Sequence, residues 1–122
     1  MKVENIKFKA KKTLDGKWIK GDLVHHKDSD NVWITDYENQ LTSPVNPSTV
    51  CQFTGLKDCE GKEIWEGDIV ERVIYDLFKG SSKVKAVIEY LNGAFVAITD
   101  GIPYSLYFKY IKVVGNKFDK EK

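Results

Sequence analysis

Glu63, Glu66 and Asp68 crowd three carboxylates into six residues, and paired carboxylates in a cleft are one route to acid–base catalysis. Gly61 and Gly67 punctuate the same stretch, and the turns they imply account for the acids without any catalysis. His25 and His26 could serve as bases, but neither has a nucleophile near it in sequence. Being adjacent, they point to opposite faces of a strand and cannot readily share a metal. Cys51 and Cys59 are the only cysteines. A zinc site would need more ligands, a domain of this size does not need a disulfide, and both read as packed thiols. Ser81, Ser82 and Ser105 lie in ordinary loop settings, and no P-loop, G-x-G-x-x-G or zinc spacing occurs. The expectation is a chain with no catalytic, cofactor-binding or metal-binding residues and no small-molecule ligand, a small hydrolase being the weakest alternative.

Two sets of residues suit binding better than catalysis. Lys79, Lys83 and Lys85 lie beside Tyr75 and Phe78. Ammonium groups next to aromatic rings can combine attraction to phosphates with base stacking, which would make a non-specific nucleic-acid module. Arg72 is the only arginine, so sequence readout of guanine by bidentate arginine is not expected. The bland alternative is that Lys79–Lys85 forms a solvated loop. Trp18, Trp33 and Trp65 are many tryptophans for so small a chain, and indole rings are favoured at interface cores. Against that, the default for any one of them is burial in its own fold.

The elements that must position these residues read as strands. The chain has 122 residues, room for one domain, and 42% of them are apolar. Val, Ile, Phe, Tyr and Trp recur, the types that suit a pleated, half-buried surface. Ile6, Phe8 and Ala10 alternate with Lys7, Lys9 and Lys11, the period of a strand with one wet face. Lys17–His26 and Val32–Thr35 follow as strands across polar turns, with Gly21 marking a bulge or a close backbone approach. Asp36–Ser48 is expected to be the least regular stretch, because Pro44 and Pro47 interrupt a ladder. Thr49–Thr54, Asp68–Tyr75, Lys83–Tyr90, Ala94–Ile98 and Lys112–Val114 read as further strands. Asn92-Gly93 predicts a type I′ hairpin, and Asp100-Gly101 with Pro103 a further turn. Ser105–Tyr110 fits either a helical turn or a strand, and the end from Lys117 to Lys122 is expected to fray. About eight short strands and no long helix predict an all-β protein, either a barrel or two packed sheets. A barrel would remove exposed edges.

Charge adds one feature. The net charge is +1, with no global polyanion signature, yet the charges fall in blocks. Residues 1–27 carry eight lysines against three acids, residues 28–68 two against nine, and residues 69–122 nine basic residues against six acids. Complementary blocks could dock copies of the chain together, or could interleave within one copy and average out. No stretch has the roughly 20 consecutive apolar residues of a membrane span, and the N-terminus lacks the apolar run of a signal peptide, so a cytoplasmic protein is expected.

An internal echo is also present. Asp15-Gly16-Lys17-Trp18-Ile19-Lys20-Gly21-Asp22-Leu23-Val24 is matched, with one insertion, by Glu60-Gly61-Lys62-Glu63-Ile64-Trp65-Glu66-Gly67-Asp68-Ile69-Val70. In each unit the glycine would let the strand kink and the aspartate accept backbone N–H groups in the bend.

The second copy of that pattern, preceded by Gly55-Leu56-Lys57-Asp58 and by Val50-Cys51-Gln52-Phe53-Thr54, resembles the signature of the YopX family, small proteins encoded in phages and prophages of Gram-positive bacteria and their relatives. Ile6-Lys7-Phe8-Lys9-Ala10 is similar to the family's opening strand, and Val113-Val114-Gly115-Asn116 to its close. Cys59 departs from the pattern, standing at a turn position that is more usually polar. The resemblance implies an SH3-like barrel (about 49–116) with additional N-terminal strands (about 1–48), and it carries no mechanism. Gly55, Gly61, Gly67 and Asp68 are then expected to set the fold. The leading functional expectation is a non-catalytic phage module that binds a protein partner or itself, with nucleic-acid binding as the alternative.

Overall fold

The computed structural model describes residues 2–106 and 110–119, with Asp76 described by its backbone alone. Its strands are β1 (Phe8–Lys11), β2 (Trp18–His25), β3 (Val32–Asp36), β4 (Thr42–Val45), β5 (Cys51–Lys57), β6 (Glu63–Trp65), β7 (Asp68–Asp76), β8 (Gly80–Leu91), β9 (Ala94–Thr99), β10 (Ile102–Tyr104) and β11 (Ile111–Asn116). The helical pieces among the described residues are two 3-10 turns, Val3–Asn5 and Pro47–Thr49. The protein is all-β, with two antiparallel sheets, and neither closes into a barrel among the described residues. By its contacts the chain forms two compact units, Met1–Phe53 and Thr54–Lys122.

In the first unit the strands lie in the order β4-β3-β2-β1, followed by the start of β5. Period-2 alternation puts Ala10, Ile19, Ile34 and Val45 into one core, with Phe8, Leu23, Val32 and Val50 packed on it. The opposite face of β1 is less wet than its lysines suggest. Lys9 lies 4.8 Å and Lys11 5.4 Å from the centre of the Trp18 ring, and Lys7 lies 4.7 Å from that of Phe53. Lysine stems cover the rings while the ammonium groups sit over the π-faces.

Two expectations for this unit need correcting. Asp36–Ser48 is not irregular throughout, because β4 pairs with β3 through Pro44 itself, opposite Trp33. The carbonyl of Pro44 accepts the Thr13 N–H at 3.1 Å. In an antiparallel strand a residue's N and O point the same way, so the missing N–H of Pro44 falls on the side away from β3. The echo between the two units is also only half structural: Gly16 and Gly61 both turn at positive φ before a strand, but the Gly-Asp pairs differ. Gly21 lies inside β2, and a Cβ there would come within 1.7 Å of the Thr35 carbonyl oxygen. It is a close approach, not a bend, and Asp22 is exposed near the Tyr37 hydroxyl. Gly67, by contrast, has φ +85° in the turn between β6 and β7.

In the second unit the end of β5 pairs with β6, and a five-stranded sheet follows in the order β10-β9-β8-β7-β11. Its core is Ile64, Val70, Ala86, Ile88, Ala97, Ile111 and Val113. Asn92 (φ +51°) and Gly93 (φ +86°) make the predicted β8–β9 turn with both central residues left-handed. Asp100 and Gly101 repeat the device at φ +52° and +77°, so Pro103 stands in strand β10 opposite Ile98 and not in the turn. Of the ambiguous stretch Ser105–Tyr110, residues 107–109 lie outside the described residues. The expected fraying does not begin at Lys117. Its N–H donates to the Gly67 carbonyl at 2.9 Å, while the N–H groups of Phe118 and Asp119 donate to the side chain and carbonyl of Asn116. Residues 120–122 lie outside the described residues.

Candidate functional site

Two buried carboxylates dominate the region around Gly55–Val70. Asp68, 2% exposed, accepts the Trp65 N–H through Oδ2 at 2.8 Å and the Asn116 amide through Oδ1 at 3.0 Å. Gly67 can hold the left-handed turn that brings Trp65 N–H onto that carboxylate, because it has no Cβ to clash. Gly61 and Gly55 take the same conformation at φ +84° and +85°.

Asp58, which sequence reasoning passed over as a turn residue, is as deeply built in. Its Oδ1 accepts the N–H groups of Glu60 and Lys62 at 2.9 and 2.8 Å, and its Oδ2 accepts that of Val113 at 2.9 Å. Burial on its own raises this carboxyl's pKa. The three backbone donors, aided by the Lys62 charge, outweigh that and hold it below its ordinary value. The Cys59 N–H donates to the Ile111 carbonyl, and an exposed Lys112–Glu60 ion pair at 3.2 Å closes the same turn onto β11. A carboxylate saturated by backbone donors and shut from solvent is poorly placed to shuttle protons. These acids lace strands together.

Other candidates for chemistry are dispersed. Both cysteines are free thiols, Cys51 buried as expected but Cys59 exposed in its turn and not packed. His26 meets the Trp33 ring edge-on at 5.5 Å. Among the described residues, no three His, Cys, Asp or Glu side chains group closely enough to hold a metal ion. The lone arginine, Arg72, is buried with its guanidinium 3.9 Å from the Tyr104 ring centre.

The binding candidates separate clearly. Trp65 is 2% exposed and offers no surface to a partner, a correction to its place among interface candidates. Its backbone is pinned by Asp68 and its ring is core. Trp18 and Trp33 are half-buried. The basic–aromatic group sits on the β7–β8 hairpin, with Lys79 in its turn and the other two lysines on a strand, not in the solvated loop that was the alternative. Strand β8 starts at Gly80, so Lys83 and Lys85 are strand residues. Register places Lys85 opposite Glu71, Lys83 opposite Val73 and Ser81 opposite Tyr75, all on one face.

This hairpin outruns its sheet. Pairing of β11 with β7 stops at Arg72, and that of β9 with β8 stops at Val87. Among the described strand pairings, Val73–Asp76 pair only with Gly80–Lys83. The result is a two-stranded arm about 13 Å long at ~3.3 Å per residue. At its tip Leu77 and Phe78 are 99% and 97% exposed, with Tyr75 74% exposed just below.

The family model of the YopX protein matches residues 7–121. The chain belongs to the YopX family. A search of the curated proteins finds no match. Two of the stretches that carry the YopX resemblance, Gly55–Val70 and Val113–Asn116, are far apart in sequence, and the structure joins them. Asp58 bonds Val113 across 55 residues and Asp68 bonds Asn116 across 48. Outside that YopX signature, the exposed apolar arm is the surface feature with most to offer a partner.

Proposed function

We propose that this YopX protein is a non-catalytic interaction module, phage-encoded and cytoplasmic, that engages proteins, itself included, through the β7–β8 arm. The observation that carries the reading is the arm's tip, where adjacent Leu77 and Phe78 are almost wholly solvated. Large apolar side chains clustered at a projecting point mark interaction sites more often than chance exposure does, and a two-stranded ribbon is marginal in water until something packs on it. We also infer an SH3-like barrel for the second unit, supported by the β7–β10 meander and the return of β11 to β7.

The test is a photoreactive residue at Leu77, compared with one at Asp30 in an exposed polar turn. Irradiation in the producing cells is expected to give protein adducts from position 77 and few from position 30. Adducts to nucleic acid alone, or none from position 77, would overturn the reading.

One observation favours the second reading, in which the module binds nucleic acid non-specifically. Tyr75, Lys83 and Lys85 share one face of the β7–β8 hairpin. Titration with labelled single- and double-stranded DNA and RNA at low salt decides it. Binding that weakens by about one log–log slope unit for Lys83→Ala would support it, and no binding removes it. The face is thin for a polyanion, since Glu71 stands opposite Lys85.

A further inference from the structure

We infer that the β7–β8 arm takes up an extended acidic segment of a partner protein as a third strand, laid along the free edge of β8. This rests on the interaction-module reading above and names the backbone edge that the module uses. Strand β8 pairs with β9 from Val87 to Leu91, whereas from Gly80 to Ala86 its one ladder partner among the described residues is β7. Every residue from Gly80 to Lys83 is exposed. Two bonds show which backbone groups point off this edge. The Ile88 carbonyl accepts the Gly67 N–H at 2.7 Å on the β7 side, and the Lys85 carbonyl accepts the Thr99 hydroxyl at 3.0 Å on the β9 side. Along an antiparallel strand the N–H and C=O of one residue point the same way, and the direction alternates from residue to residue. Ser81 and Lys83 therefore share the direction of Lys85 and turn both groups away from β7. Thr99 already occupies the Lys85 carbonyl, so the open row runs from Lys83 toward the tip.

A row of outward N–H and C=O groups at strand spacing is the complement of another extended backbone. The arm gains from the addition, because a two-stranded ribbon is marginal in water and a third strand supplies what it lacks. Charge then decides whose backbone fits. Lys83 is in register with Val73 at the root of the arm, Lys85 with Glu71 below it, and Gly80 with Asp76 at the tip end. Asp100 stands in the turn that ends β9, at the Lys85 end of the row. Lys83 is thus the lysine of this edge with no acid in register across β7. Two copies laid edge to edge and antiparallel would set lysine opposite lysine whichever residue lay at the centre. Centred on Ser81, Lys79 meets Lys83; centred on Ser82, Lys79 meets Lys85; centred on Lys83, that residue meets itself. Like charges directly opposite one another oppose pairing, and unlike charges favour it. The segment that fits carries Asp or Glu across from Lys83. Its acids recur with the strand period of two, and it has no proline where its own N–H must bond.

A displayed library of random peptides about ten residues long, selected on the purified chain, is the probe. The recovered sequences are expected to carry Asp or Glu at alternate positions and to lack proline within that run. Lys83→Pro removes one outward N–H, and because that group points away from β7 the β7–β8 ladder keeps its bonds. It is expected to bind the recovered peptides at least about tenfold more weakly. Lys83→Ala keeps the backbone donor and loses the charge, so the loss there is smaller, up to about fivefold. In the wild-type chain, bound peptide should protect the amide hydrogens of Ser81 and Lys83 from exchange. That of Ser82, already within the ladder to Ile74, should change little.

A selection that recovers nothing, peptides without the acids, equal binding by Lys83→Pro, or unchanged exchange at Ser81 and Lys83 would each overturn the inference. Dimers of the chain alone that Lys83→Pro abolishes would give the edge to a second copy, and would overturn it too. If the edge fails these tests while position 77 still yields protein adducts, strand addition falls and the interaction reading stands. If both results are negative, both fall.

Discussion

Asp68→Ala destabilises the second unit by about 4 kcal/mol, because it strands two buried donors, the Trp65 N–H and the Asn116 amide, at roughly 1–3 kcal/mol each. That is a large fraction of the 5–15 kcal/mol available to a folded domain. The loss is read by urea unfolding, with Trp65 fluorescence as the probe in a Trp18→Phe/Trp33→Phe background. The buried Trp65 backbone is bonded to the mutated side chain, so its signal reports the affected turn. Asn116→Ala, which removes only one of the two contacts to Asp68, should cost less. Its own carbonyl side-chain bond to the Phe118 N–H is lost as well, so the end of the chain from Phe118 loosens with it. An Asp68→Ala protein within about 1 kcal/mol of wild type would show that the carboxylate is not what holds Gly55–Val70 to the C-terminal strand.

The second large effect is in acid. Asp58 is a carboxyl whose folded pKa lies below its ordinary value of 3.8. As the pH falls, the unfolded chain therefore takes up the proton first. The stability that Asp58 contributes is fully present above that ordinary value and is lost as the pH falls through the folded one. Urea midpoints between pH 7 and pH 2 test this. Asp58→Asn should be less stable than wild type at pH 7, because its amide group can no longer accept from all three N–H donors. The gap should narrow as the pH falls below 3.8 and through the folded value, where wild type loses its charge as well. A gap that stays constant across the range would mean that the charge on Asp58 is not what matters.

Both carboxylates bear on how the Gly55–Val70 segment is read. Its glycines and turns were legible because positive φ and punctuation are local properties of the chain. Asp68 stood out for the same reason, as an aspartate after a turn glycine. Asp58 did not, since an aspartate in Lys57-Asp58-Cys59-Glu60-Gly61 looks like any turn residue until Val113 arrives from 55 positions away. The same local reasoning misread Pro44. Proline forbids a ladder bond on one side only, and which side faces a neighbour depends on the strand that comes to pair there.

The arm shows the division most clearly. Period-2 patterns, Asn92-Gly93 and the β-branched composition are short-range and determined the all-β class and most strand positions without reference to the fold. The spacing of Lys79, Lys83 and Lys85 was likewise visible, but whether they stood on a loop or a strand was not. Exposure belongs to a residue's neighbours in space, and those neighbours are chosen by where β9 and β11 stop pairing. Trp65 and Phe78 are both aromatic residues beside turns. Tertiary packing made one a core residue at 2% exposure and the other a projecting tip at 97%, because long-range strand pairing, which local sequence does not encode, covers the first and runs out before the second.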